Sequence, residues 1–122
     1  MKVCRVFSDY YSLHKLFSEI LKIDHLWVLP NLKILSLAFN KIEKIENLDM
    51  LGNLLELNLS YNYIEKIENL EKLAKIEILS LYGNKIKKLE NIDTLETLLI
   101  LSIGENLIEN YEGVSKFDLR YI

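Results

Sequence analysis

The sequence predicts an α/β solenoid, in which one short coil of chain repeats and each coil stacks on the coil before it. Four asparagines, Asn40, Asn62, Asn84 and Asn106, recur at a constant 22-residue interval. Seven positions around the first asparagine are apolar: Leu32, Leu35, Leu37, Ile42, Ile45, Leu48 and Leu51. The same seven positions are apolar in the three later copies, at 54–73, 76–95 and 98–117. Such strict recurrence is typical of stacked repeats, because a single coil cannot bury its own apolar side.

Each copy begins with a strand and continues into turns. Leu35 and Leu37 alternate with Ser36, and this period of two predicts a short strand with one face inward. Apolar residues then recur every third position from Ile42, a spacing that favours 3₁₀-like turns. The pattern is that of the leucine-rich repeat in its 22-residue form. It implies a horseshoe with a parallel β-sheet on the concave face and 3₁₀ or irregular turns on the convex face.

The repeated asparagine predicts a ladder of hydrogen bonds. It lies between apolar positions at the end of the strand, and a buried amide needs partners. Its carbonyl oxygen and NH₂ group suit backbone groups of its own and the neighbouring coil. We therefore assign Asn40, Asn62, Asn84 and Asn106 a structural role.

The N-terminal segment departs from this pattern. Shifting the repeat back by one full copy places Lys15 and Ser18 where a leucine and the asparagine belong. Residues 1–29 are therefore predicted to form a degenerate coil. A helical cap is the alternative, because apolar residues from Val3 to Ile20 also follow a helical spacing.

Residues 30–117 are predicted to form four complete repeats, and 118–122 the truncated start of a fifth coil. In the fourth repeat, Tyr111 and Phe117 replace the usual aliphatic residues. Either these bulky side chains cover the end of the solenoid, or the chain is a truncated form of a longer protein. We favour truncation, since no polar capping segment follows.

The sequence offers little for catalysis. His14 and His25 have no carboxylate or cysteine at metal-ligand spacing. Cys4 has no histidine arranged to activate it, and a single cysteine fits a reducing compartment. The four glycines lie apart, so no phosphate-binding loop is present. We therefore predict a protein that is not an enzyme and uses no cofactor, metal or small-molecule substrate.

Charge and hydropathy argue against nucleic acid and membrane partners. The net charge is −3, and charged residues of one sign form no continuous block. The predicted concave face has no stripe of Lys or Arg residues. No apolar run approaches 18 residues, and the first residues do not form a secretory signal. These features favour a cytoplasmic location.

The strand residues between the inward leucines are predicted to form a partner-binding concave face. Across the coils they give a row rich in isoleucine, a row of small polar residues, and aromatic residues at the strand exits. The residues assigned to this site are Ile34, Ser36, Phe39, Glu56, Asn58, Tyr61, Ile78, Ser80, Tyr82 and Ile100. Small residues permit close approach of a protein partner, and aromatic residues serve as anchors. The alternative is that the isoleucines reflect only β propensity.

The segment from Ile20 to Trp27, followed by Pro30, Asn31 and Leu32, resembles the start of the repeat domain in the dynein regulatory complex subunit 3 family. That family supplies the leucine-rich subunit of the nexin–dynein link. The Ile-Asp-x-Leu-Trp string is unusual, because short repeats normally have a polar or small residue at the tryptophan position. The resemblance implies a scaffold on the cytoskeleton, in the axoneme of a motile cilium or flagellum, with other subunits of that complex as partners. Members continue into long coiled coils, whereas no heptad pattern follows Phe117.

A second hypothesis is a regulatory leucine-rich repeat protein that binds type 1 protein phosphatase or another cytosolic or nuclear partner. That class predicts acidic and aromatic residues along the concave face over many more coils, and only Glu56 and Glu105 lie near it here. A spliceosomal or chromatin repeat protein would call for a basic element or an acidic tail, and neither is present.

Overall fold

The structure, a computed structural model, describes residues 12–109 except for the side chain of Trp27. Five three-residue strands form one parallel sheet in chain order. They are β1 (Ser12–His14), β2 (Ile34–Ser36), β3 (Glu56–Asn58), β4 (Ile78–Ser80) and β5 (Ile100–Ser102). A 3₁₀ helix, Leu26–Val28, is the one helix in the described range.

Every pair of neighbouring strands has the same register. Leu13 lies opposite Leu35, and Leu57, Leu79 and Leu101 continue this row across the sheet. Paired residues are always separated by one repeat length, so each copy of the sequence pattern forms one turn of the solenoid. The prediction of a parallel-sheet solenoid is confirmed.

The inward side chains of all coils form one continuous core. Every repeat-pattern position from Leu32 to Ile103 is more than nine-tenths buried, and Ile108 is half-buried. The N-terminal coil adds Ile23, Leu26 and Leu29 to this core. Each buried aliphatic side chain contributes about 1.5–3 kcal/mol, and stacked neighbours supply the surface that buries it.

The convex side consists of turns, which corrects the α/β class predicted from the repeat. The amides of Leu51 and Leu54 donate to the carbonyls three residues earlier, at 3.0 Å each. Similar pairs recur in the later coils, but no turn there extends into a regular helix. Residues 12–109 contain no α-helix and are a β-solenoid. The physical reason is that a left-handed residue, such as Asn47 with φ 60°, interrupts the convex segment.

The N-terminal coil contains a strand, although a helical cap was the alternative prediction for this segment. β1 pairs in parallel with β2, and the Lys15 amide donates to the Ser36 carbonyl at 2.9 Å. Residues 15–20 continue as turns and irregular backbone. The predicted end features at Tyr111 and Phe117 and the segment 118–122 lie outside the described residues, as do residues 1–11.

Candidate protein-interaction face

The four repeated asparagines hydrogen-bond adjacent coils along one seam of the solenoid. The Asn62 side-chain nitrogen donates to the Leu59 carbonyl in its own coil and to the Leu37 carbonyl in the preceding coil, at 3.0 Å each. Its oxygen accepts from the Ile42 amide at 3.0 Å. Asn40, Asn84 and Asn106 make equivalent bonds. Each amide is therefore committed to the backbone, which fixes the strand exits in register.

A second asparagine ladder, not among the predicted features, lies on the convex side. The Asn69 side-chain nitrogen donates to the Ile45 carbonyl of the preceding coil at 2.7 Å, and Asn47 and Asn91 make equivalent bonds. Their φ angles lie between 58° and 60°, a left-handed conformation that asparagine tolerates better than most residues. The signal was present in the sequence as a second set of asparagines with the same repeat spacing. His25, also at φ 60°, occupies the matching position in the N-terminal coil.

The sheet face opposite the core, which we call the open face, brings predicted contact residues together. Register places Ile34, Glu56, Ile78 and Ile100 in one row, and all four are half-buried. The middle row is Ser36, Asn58, Ser80 and Ser102. Adjacent members of a row belong to strands about 4.8 Å apart. The open face is therefore a narrow polar strip beside a row rich in isoleucine.

Part of the open face is less accessible than predicted. Ser36 is only 7% exposed, because its short side chain lies between His14 and Asn58 in the row. In the row at the strand exits, Ala38 and Ser60 are also buried. Asn58, Ser80 and Ser102 keep partial exposure, so the usable polar strip runs along β3 to β5.

Aromatic rings line the strand exits. The Phe17 and Phe39 rings stack with centroids 4.5 Å apart, and Phe39 stacks on Tyr61 at the same distance. Tyr82 meets Tyr61 edge-on at 5.6 Å. We call these four residues the aromatic ladder. Phe17 was not among the predicted contact residues, although it precedes Phe39 by the same 22-residue interval. Phe39 and Tyr61 are 41% and 46% exposed, so the ladder presents apolar surface to solvent.

Backbone geometry holds the aromatic ladder in place. Phe17, Phe39 and Tyr61 all have φ between 52° and 57°, which is unfavourable for bulky residues. In the next coil, the Tyr61 ring lies over Gly83, where a Cβ would be 2.7 Å from a ring carbon. The Tyr82 ring lies over Gly104, where a Cβ would also be 2.7 Å from a ring carbon. Glycines at these two positions therefore leave room for the last two rings.

The charges near this face are few. Desolvation raises the pKa of Tyr82, and the nearby Glu105 carboxylate raises it further. Glu56 is the one acidic residue in the strand rows of the described sheet, and no hydrogen bond or ion pair joins its carboxylate to another described residue. On the other side of the strand exits, the Lys85 ammonium lies 4.6 Å from the Tyr63 ring centroid.

The described residues hold no group of three His, Cys, Asp or Glu side chains close enough to bind a metal. His25 contacts the adjacent Asp24 carboxylate at 3.6 Å on the surface. Between residues 12 and 109 no helix has the length and apolar character needed to cross a membrane.

Several known proteins share this geometry. A family model described as leucine-rich repeats (two copies) matches residues 52–94. No curated protein sequence matches the chain. The functional domain of InlJ from Listeria monocytogenes, which includes a cysteine ladder, has a TM-score of 0.73 and 20% identity over 88% of this chain and 23% of that chain.

Two further solved structures share more sequence with the chain. The internalin InlF from Listeria monocytogenes has a TM-score of 0.67 and 26% identity over 72% of this chain and 26% of its own. A leucine-rich repeat protein of Leptospira interrogans has a TM-score of 0.61 and 35% identity over 66% of this chain and 21% of its own. The chain thus spans about a quarter of the length of these structures. The repeat register and these matches show that the described coils have the leucine-rich repeat fold.

Proposed function

We propose that the chain is a non-catalytic scaffold that binds another polypeptide on the open face of its sheet. Leucine-rich repeat domains commonly serve protein–protein interaction, and solenoids use extended sheet surfaces for it. The observation that carries the proposal is the exposed aromatic ladder beside the isoleucines and small polar residues of the sheet.

The surface suits a polypeptide partner for energetic reasons. Aromatic side chains bury a large area on binding and lose little conformational entropy, so they are frequent anchors of interfaces. Stacking and the left-handed backbone already hold Phe39 and Tyr61 in one arrangement. Preorganisation of this kind lowers the entropy cost of association. The partly exposed Asn58, Ser80 and Ser102 add hydrogen-bonding groups between these anchors and the isoleucine row.

The finer proposal is that this scaffold belongs to the dynein regulatory complex of the axoneme, in a motile cilium or flagellum. Its support is the resemblance of the Ile20–Trp27 string and the following Pro30–Leu32 to that family. In the structure, Ile23 and Leu26 of this string are buried in the core of the N-terminal coil. The string therefore belongs to the scaffold that supports the open face.

Affinity capture from ciliated cells tests both levels of the proposal. The baits are the full 122-residue chain, an open-face variant with Ile78→Asp and Tyr82→Asp, and a convex control with Met50→Asp and Lys72→Asp. The control places two aspartates on exposed positions of neighbouring coils. Circular dichroism checks that all three baits fold.

We expect the native chain and the convex control to capture subunits of the dynein regulatory complex, and the open-face variant to lose them. Capture of the type 1 phosphatase catalytic subunit with the same dependence would overturn the axonemal assignment and retain the scaffold. Equal capture by all three folded baits would reject the open face as the binding surface.

A further inference from the structure

We infer that the open face accepts an amphipathic α-helix of its partner, laid across the strands, with an arginine or lysine of that helix placed on Glu56. This inference rests on the proposed function and specifies the chemistry of the partner. It follows from the hydrogen bonding of the sheet, the spacing of its rows and the state of the Glu56 carboxylate.

A ligand lying on the middle of the sheet meets side chains only, because the backbone groups of these strands already bond to neighbouring strands. Strands β2, β3 and β4 each pair with a strand on both sides. An extended segment gains backbone hydrogen bonds only at a sheet edge, so across these strands its own amides would lack partners. An α-helix satisfies its backbone internally and binds through side chains alone. The middle of the open face therefore favours a helix over a strand.

The spacing of the coils suits a helix that runs along the rows. Neighbouring strands lie about 4.8 Å apart, and one helical turn rises about 5.4 Å. Each turn of the ligand would therefore face one coil, with a drift of roughly 0.6 Å per coil. Alternate residues of a strand lie about 6.6 Å apart, so the isoleucine row and the strand-exit row are separated by roughly 13 Å. That width matches a helix with its side chains, about 10–12 Å across.

Glu56 sets the charge of the ligand. Its half-buried side chain lies between Ile34 and Ile78 in the row and has no ionic partner among the described residues. A helix lying on this row would remove water from the carboxylate, which is unfavourable unless the ligand supplies a cation. Glu105, beside Tyr82 at the end of the aromatic ladder, adds a second negative charge near the same face. A basic amphipathic helix is therefore the complementary occupant.

Peptide selection against the 122-residue chain tests this inference. One library displays peptides of about five helical turns on a helix-forming framework with a randomised face, and the other displays proline-containing extended peptides of equal length. Binders are kept when the Ile78→Asp and Tyr82→Asp variant abolishes their binding. We expect open-face binders from the helical library, with an Arg or Lys at a fixed position and apolar residues three or four positions away.

Two charge variants identify the contact. Glu56→Gln should weaken these peptides roughly tenfold, because a charge-assisted hydrogen bond is lost. Glu56→Lys, used as a new bait, should select Asp or Glu at the same peptide position. The matched control Glu65→Gln, at an exposed convex position, should leave affinity unchanged.

The remaining outcomes count against the inference in different ways. Helical binders without a fixed cation, or with affinity unaffected by Glu56→Gln, overturn the Glu56 contact. Open-face binders from the extended library alone overturn the helix and leave the proposed function standing. Absence of open-face binders from both libraries contradicts the inference and weighs against the proposed function as well.

Discussion

The Phe39 ring lies on the Tyr61 ring of the next coil with centroids 4.5 Å apart and planes 11° from parallel. Both rings are partly exposed, and both backbones are left-handed. Stacking offsets part of the cost of that backbone conformation, since aromatic pairs contribute about 0.5–1.5 kcal/mol beyond the area they bury. The aromatic ladder therefore links neighbouring coils on the exposed side of the sheet.

A double-mutant cycle of Phe39→Leu and Tyr61→Leu should measure this link. We expect a coupling free energy of about 0.5–1.5 kcal/mol from urea denaturation, because each single change removes the same stacked pair. Phe39→Leu combined with an exposed leucine substitution two coils away, at Lys85, serves as the control and should be additive. Additivity in the Phe39–Tyr61 cycle would show that the stack contributes nothing to stability.

The glycine beneath Tyr61 gives a second prediction. Gly83→Ala should destabilise the fold by roughly 1–2 kcal/mol, because φ is +69° there and the new Cβ would meet the Tyr61 ring. Gly52→Ala is the matched control, since nothing lies within 4 Å of a Cβ at that position. We expect its free energy of unfolding to change by less than about 1 kcal/mol, towards greater stability. Equal losses in the two variants would contradict the assigned close approach.

The repeat register and the core could be predicted because they depend on local pattern. The apolar spacing around Asn40 recurs in each copy of the repeat, and a parallel sheet follows from stacking such units. Leu13 could also be placed opposite Leu35 by the same shift, although its neighbours Lys15 and Ser18 hide the pattern. What the pattern does not contain is the conformation of the polar convex segment, where no regular helix forms beyond Leu26–Val28 in the described range.

The features that sequence reasoning missed depend on contacts between coils. The second ladder is carried by Asn47, Asn69 and Asn91, whose role requires both a left-handed backbone and a carbonyl of the preceding coil. The burial of Ser36 depends on its neighbours in two other coils. Apolar periodicity reports neither contact, so the three asparagines were left without a role and Ser36 was predicted to be accessible.

Removing the amide group of a residue in the first asparagine ladder should reduce the stability of the fold. Asn62→Ala should lower the free energy of unfolding by about 1–3 kcal/mol, because the buried Ile42 amide and the Leu37 carbonyl lose their partner. Asn53→Ala is the control, since Asn53 donates to the Pro30 carbonyl at an exposed site. Urea denaturation should show a small change for Asn53→Ala, and an unchanged midpoint for Asn62→Ala would reject the ladder.

The convex asparagine ladder affects stability through its hydrogen bonds and through its left-handed backbone, and these two contributions can be measured separately. Asn69→Gly removes the hydrogen bond to Ile45 but tolerates φ of 60°, whereas Asn69→Ala removes the bond and adds backbone strain. We expect alanine to be less stable than glycine at this position by about 1 kcal/mol, measured by chemical denaturation. At Glu65, a position without positive φ, glycine should be the less stable of the two. If glycine were less stable than alanine at both positions, the left-handed conformation at Asn69 would not be required.

Tyr82 gives a prediction about pH. Desolvation and then the Glu105 carboxylate raise its pKa above the ordinary value for tyrosine, so the folded state binds the phenol proton more tightly than the unfolded state. Its contribution to stability is therefore present below the unfolded pKa of about 10 and is lost as pH rises through the folded value. NMR titration of tyrosine ring carbons should show Tyr82 ionising at a higher pH than free tyrosine, and Glu105→Gln should lower its midpoint. Glu96→Gln, on the far side of the coil, should leave the midpoint unchanged, and a Tyr82 midpoint insensitive to Glu105→Gln would remove the carboxylate from this account.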